Sequence, residues 1–155
     1  MNLPTNTPIR TLMLNEFKNN VVPVIGDTSD VYIDPPRWLQ EGKVQPYTSI
    51  FTFLEKVKKI NLLAEKELNI EIFTFVNVST SDDARTDAAL IDAAIQIQIL
   101  KQGSSILQYA QYVELQPENC FDTLWFGEGV CAAVSRYHVK YRHLYGDPTQ
   151  QNFNS

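Results

Sequence analysis

The sequence is poor in cysteine, glycine and histidine, and each shortage removes a class of function. Its 155 residues include two cysteines, Cys120 and Cys131. Two thiols are too few for a disulfide scaffold and do not form a Cys-x-x-Cys pair, so both are expected to be small reduced apolar side chains. Of six glycines only Gly127-Glu128-Gly129 cluster. That is no phosphate-cradling loop, and it predicts a turn before the last strand. The two histidines, His138 and His143, are separated by an odd interval that puts them on opposite faces of a strand, so a shared metal is not expected. No apolar run approaches the roughly 18 residues that cross a membrane. The start, Met1-Asn2-Leu3-Pro4-Thr5-Asn6, has neither the basic nor the apolar region of a signal peptide. Basic residues are also scarce: 13 Lys and Arg against 18 Asp and Glu give a net charge of −5, which argues against a dedicated nucleic-acid binder. No nucleophile elbow or Ser–Lys dyad is visible. Neither catalysis nor a cofactor is expected.

What is there is an ordered series of elements. Residues 1–8 are polar with Pro4 and Pro8, and read as a loose arm. Ile9, Leu14, Phe17 and Val21 recur at helical spacing, and Pro23 and Gly26 are expected to end that helix. Asp30 to Asp34 is a short extended piece stopped by Pro35 and Pro36, and Trp38 and Leu39 fall in a loop or short edge strand. Ile50-Phe51-Thr52-Phe53 then recurs as Ile72-Phe73-Thr74-Phe75. Around the second copy Ile70, Ile72, Val76 and Val78 share one face and Phe73 and Phe75 the other, the pattern of a central strand covered on both sides. The first copy also fits a helix through Ile50, Leu54, Val57, Ile60 and Ala64. The preferred reading is a long antiparallel hairpin hinged within 58–66, with room for one helical turn.

Ser79 to Asp83 supplies capping chemistry for a helix from Ala84 to Leu100, although Ile95-Gln96-Ile97-Gln98-Ile99 alternates like a strand. Ile106 to Leu115 reads as a strand, 116–122 as a loop, and 146–155 as a second polar arm. Val130 to Tyr145 alternates cleanly: Cys131, Ala133, Tyr137, Val139 and Tyr141 on one side, Arg136, His138, Lys140 and Arg142 on the other. The expected fold is a single α+β domain: an antiparallel or mixed sheet of about four or five strands with two main helices packed on it.

Two charge features are candidates for a subunit interface. One is the acidic group Asp82, Asp83 and Asp87, whose ordinary role is helix-start capping. The other is the basic ridge Arg136, His138, Lys140 and Arg142. Three roles stay open for the ridge: a solvated edge face that resists edge pairing, a contact with the acidic helix start of a neighbouring copy, or contact with DNA. Phe153 in the polar tail is a possible anchor on a neighbour. Reversing Arg136, Lys140 and Arg142 to Glu is expected to leave folding intact and impair assembly.

Taken together, the opening helix Arg10–Val22, Val31-Tyr32-Ile33-Asp34, the strand led by Pro46, the arm Ile70–Val78, the helix after Asp82-Asp83 and the closing Tyr137-His138-Val139-Lys140-Tyr141-Arg142 resemble the tail-terminator (tail-completion) proteins of long-tailed bacteriophages. The likeness covers roughly residues 9–145 and is one of order and spacing. It implies a structural virion protein without catalysis, assembled in the host cytoplasm. Such a protein typically forms a ring of six copies at the head-proximal end of the tail, with the tail tube protein and head-completion proteins as partners. DNA passes through without specific binding, and no membrane is involved. Another phage neck or head-closure subunit, or a non-viral small-ligand or regulatory α+β module, are the alternatives.

Overall fold

The computed structural model describes residues 1–35, 43–127 and 129–151. The expectations for Trp38, Leu39 and Phe153 lie outside the described residues. Helix α1 spans Ile9–Ile25 and helix α2 spans Ala84–Leu100. The strands are β1 Val31–Ile33, β2 Tyr47–Ile60, β3 Leu63–Asn77, β4 Ala110–Leu115, β5 Phe121–Phe126 and β6 Val130–Leu144. They form a mixed six-stranded sheet in the order β1-β2-β3-β6-β4, with β5 also paired to β6. The fold is therefore α+β, with more strands than the sequence suggested.

The hairpin is present, and its hinge is tighter than expected. β2 and β3 pair from Tyr47↔Phe75 to Ile60↔Leu63, leaving Asn61 and Leu62 as the turn, with no helical turn. Asn61 takes φ 55°, a conformation asparagine tolerates. The pairing slips between Phe53 and Lys56. This is a β-bulge on the outer strand, and Leu54 sits in it at φ 50°. Glu55, the next residue, is fixed from three sides: Arg10 Nε at 3.0 Å, the Tyr141 hydroxyl at 2.9 Å and Lys66 Nζ at 3.1 Å.

Both helices lie on one face of the sheet. Ile9, Met13, Leu14, Phe17 and Val21 of α1, and Ile95 and Ile99 of α2, close over Ile50, Leu68, Ile70, Ile72, Tyr137, Val139 and Tyr141. At the N-terminal end of α2, Ala84 and Ala88 meet Val76, Cys131 and Ala133; these small side chains let the helix approach the sheet closely. The opposite face carries an aromatic cluster of Tyr47, Phe73, Phe75, Ala132 and Val134, with Tyr32, Phe51, Leu124 and Phe126 against it. The two-faced pattern read from the second tetrapeptide is thus the pattern found, except at Val78, which lies beyond β3 in a 3₁₀ turn and is exposed.

Four local expectations are corrected. Pro23 lies inside α1 rather than at its end. A proline in the last turns removes only one backbone donor, and the stop is Gly26, left-handed at φ 98° with its N–H on the Val22 carbonyl at 2.7 Å. Residues Ser105–Gln108 form a 3₁₀ turn rather than the start of a strand, because Ser104 caps it and Ile106 is buried beneath α1. The supposed loop 116–122 runs into β5, which places Leu124 and Phe126 on the aromatic cluster. The described part of the C-terminal arm is not loose: Leu144 N–H donates to the Gln150 carbonyl at 2.6 Å, and Ile9 N–H to the Pro148 carbonyl at 2.9 Å. The preceding arm, residues 1–7, is exposed.

β6 is an interior strand, not an edge. One side pairs with β3 along its whole length, from Leu63↔Leu144 to Asn77↔Val130. The other side is shared end to end, β4 beside Tyr137 to Tyr141 and β5 beside Val130 to Ser135. The join falls at Arg136. Its carbonyl accepts from Gln116 N–H at 3.0 Å and its N–H donates to the Cys120 carbonyl at 2.9 Å, so residues 117–119 leave the sheet as a short excursion.

Candidate functional surfaces

The basic ridge forms as expected, projecting from the face of β6 opposite the helices. Its surroundings were not predicted. The register sets Glu71 opposite Arg136, Asn69 opposite His138, Glu67 opposite Lys140 and Glu65 opposite Arg142. Arg142 binds Glu65 through Nε at 2.8 Å and Nη2 at 2.5 Å. Lys140 Nζ lies 3.3 Å from Glu65, 3.6 Å from Glu67 and 5.3 Å from the centre of the Tyr112 ring. His138 Nδ1 meets Asn69 Oδ1 at 3.0 Å, and Arg136 is 3.6 Å from Glu71. The Arg142 guanidinium, aided by Lys140 and against the cost of burial, holds the Glu65 carboxyl below its ordinary value.

The ridge is therefore half of a cross-strand charge ladder, and its charge is balanced within the chain. Alternation along one strand revealed the basic half. The acidic half, Glu65-x-Glu67-x-x-x-Glu71, is legible in the sequence once β3 and β6 are known to be neighbours, which only the register gives. The expectation that Glu at positions 136, 140 and 142 leaves folding intact is consequently revised. Three like-charged cross-strand contacts would replace three attractive ones. The triple variant should melt several degrees below the parent, and 1 M salt should recover part of that loss by screening; an unchanged melting temperature would refute the ladder's contribution.

The acidic group stands at the start of α2. Asp83 is the cap, accepting from Thr86 N–H at 3.1 Å and Thr86 hydroxyl at 2.6 Å. Those bonds, the hydroxyl's foremost, keep its carboxyl below the usual range. Asp87 accepts from the Ser81 hydroxyl, and Asp82 is exposed. Among the described residues no group of three or more His, Cys, Asp or Glu is placed to hold a metal ion. His138 faces the charge ladder and His143 pairs across to Ala64 on the helix-covered side.

The 117–119 excursion bends over the charge ladder, where the Arg136 guanidinium donates to the Asn119 carbonyl at 2.8 Å. It walls an open groove of about 540 Å³ lined by Phe53, Glu71, Gln116, Glu118, Asp122 and Arg136 among others. The lining acids outnumber its one arginine.

Two apolar surfaces escaped the sequence reading. On α2, Leu90 is 65% and Ile97 68% exposed, with Ala93 exposed between them and Leu100 beyond. From Ala88 to Leu100 the single charged residue is Asp92, and that one is buried. A helix apolar on both faces is one that is covered on both; the scarcity of charge between residues 88 and 100 was the available signal. The second surface is the outer stretch of the β2–β3 hairpin, where Leu54, Val57 and Leu62 are all more than 60% exposed.

No family model matches the chain, and no curated protein matches it.

Proposed function

We propose that this chain is a ring-forming structural protein of a bacteriophage tail, a tail terminator, that caps the tail tube at its head-proximal end and joins it to the head-completion proteins. The observation that carries the reading is the order of elements: opening helix, long hairpin, capped helix and a closing strand that returns to the middle of the sheet, with both helices on one face. The exposed apolar residues support it. They lie on two unlike elements, and a ring subunit needs two different surfaces that meet head to tail. The net charge of −5 suits a subunit past which DNA slides without adhering. Partners in this reading are further copies of the chain, the tube protein and the neck proteins, in the virion.

Sedimentation and electron microscopy of the purified chain test this. A closed ring of about six times 17.7 kDa is the expected particle. A chain that remains monomeric and leaves purified tail tubes open-ended overturns it. The groove beside Arg136 favours a second reading, a small-ligand module, since polar groups converge there on an aromatic wall. A ligand that raises the melting temperature of the parent but not of Arg136→Ala would favour that module over the ring.

A further inference from the structure

We infer that the outer stretch of the β2–β3 hairpin of one copy docks on the outward face of α2 of the next. The inference deepens the ring reading and rests on it. Each surface has what the other lacks. The hairpin presents Leu54, Val57 and Leu62, with exposed Lys59 on the same strand face as Val57. Lys59 makes no ion pair among the described residues, and its ammonium lies over the Tyr145 ring at 4.6 Å from the centre. The helix presents Leu90, Ala93, Ile97 and Leu100, with the acidic group Asp82, Asp83 and Asp87 at its start. Apolar meets apolar and lysine meets aspartate, a match that fixes orientation as well as attraction.

The rival occupant of the α2 face is α2 of a second copy about a two-fold axis. That arrangement leaves the hairpin's three apolar residues in water. The hairpin edge also excludes plain strand addition. β1 pairs only as far as Ile50, and beyond it the bulge at Leu54 and the lysines blunt the edge. The hairpin therefore offers side chains, not a free ladder.

Two variants test the contact. Leu90→Glu with Ile97→Glu spoils the helix surface and leaves the hairpin. Leu54→Asn with Val57→Glu and Leu62→Asn spoils the hairpin and leaves the helix; asparagine suits the positive φ at 54, and a glutamate at 57 faces Lys66 across the strands. All five positions are exposed, so melting temperatures should stay near the parent's. Each variant alone should be monomeric, and an equimolar mixture should give a 1:1 dimer of about twice 17.7 kDa through the one intact pair of surfaces. Should both variants assemble like the parent, the contact is wrong and the ring reading stands. A hairpin variant that dimerises alone overturns the contact in favour of paired α2 helices. A parent forming open chains, with the mixture behaving as stated, upholds the contact and overturns the ring. If either variant is unfolded, Val57→Cys and Ile97→Cys proteins are mixed and oxidised instead: a 57–97 crosslink is expected, and its absence overturns the contact.

Discussion

Replacing Phe75 by alanine should lower the free energy of unfolding by about 3–5 kcal/mol in a urea titration. Phe75 is 1% exposed and sits at the centre of the aromatic cluster. Its ring centre lies 4.7 Å from Tyr47, 5.5 Å from Phe126 and 5.8 Å from Phe73. The contacts come from three strands, so no single neighbour can move to fill the void. Truncation forfeits transfer energy and leaves a cavity, and the stacked pairs add about 0.5–1.5 kcal/mol beyond area. Phe73→Ala belongs to the same cluster, and the double variant should cost less than the sum of the singles, because each loosens the other's packing. A loss well under 2 kcal/mol for Phe75→Ala would show that the cluster collapses to fill the space.

The second large effect is at Asp92, which is fully buried under α2. One carboxyl oxygen accepts from the Ser135 hydroxyl at 2.5 Å and from Gln96 Nε2 at 2.8 Å; the other has no hydrogen-bond partner among the described residues. Burial raises the pKa, and the two hydrogen bonds offset that only in part. The folded state thus prefers the protonated acid, while in the unfolded chain the group titrates near its ordinary 3.8. This contribution to stability is complete below the unfolded value and is lost as pH rises through the higher folded one. Asp92→Asn keeps an acceptor for Ser135 and Gln96 and carries no charge. It should be more stable than the parent by about 1–3 kcal/mol near pH 8 and about equal near pH 3. Parallel pH profiles for the two proteins would show that the carboxylate is accommodated at no cost. The Tyr137 phenol is pushed up in the same region, by burial first and by the nearby Asp92 charge second.

How far the sequence reached depended on whether a feature was local. The hairpin, the central strand and the N-terminal cap of α2 were legible because β-branched alternation and Asp83 act within a few residues. Pro23 misled because a proline near a helix end costs one donor, whereas the left-handed Gly26 sets the stop. β5 was hidden because Pro117 and Asn119 mark the excursion just before it, although Leu124 and Phe126 alternate inward. The charge ladder could not be read from either strand alone. Its acids and bases are some 65–77 residues apart in sequence and meet only through the β3–β6 register. Caps and alanines mark α2 as a helix without saying which of its faces are covered; its outward apolar face is legible only in the scarcity of charge from Ala88 to Leu100.

The placement of β6 bears on how the chain is made. The strand that fills the middle of the sheet, between β3 on one side and β4 and β5 on the other, follows all of its neighbours in the chain. Until residue 144 has emerged, the nascent chain holds a β2–β3 hairpin with one long bare edge, the kind of surface on which unfinished chains stick to one another. The sheet can therefore close only once β6 has emerged. Premature stops anywhere before Val130 should yield insoluble product rather than a smaller working domain.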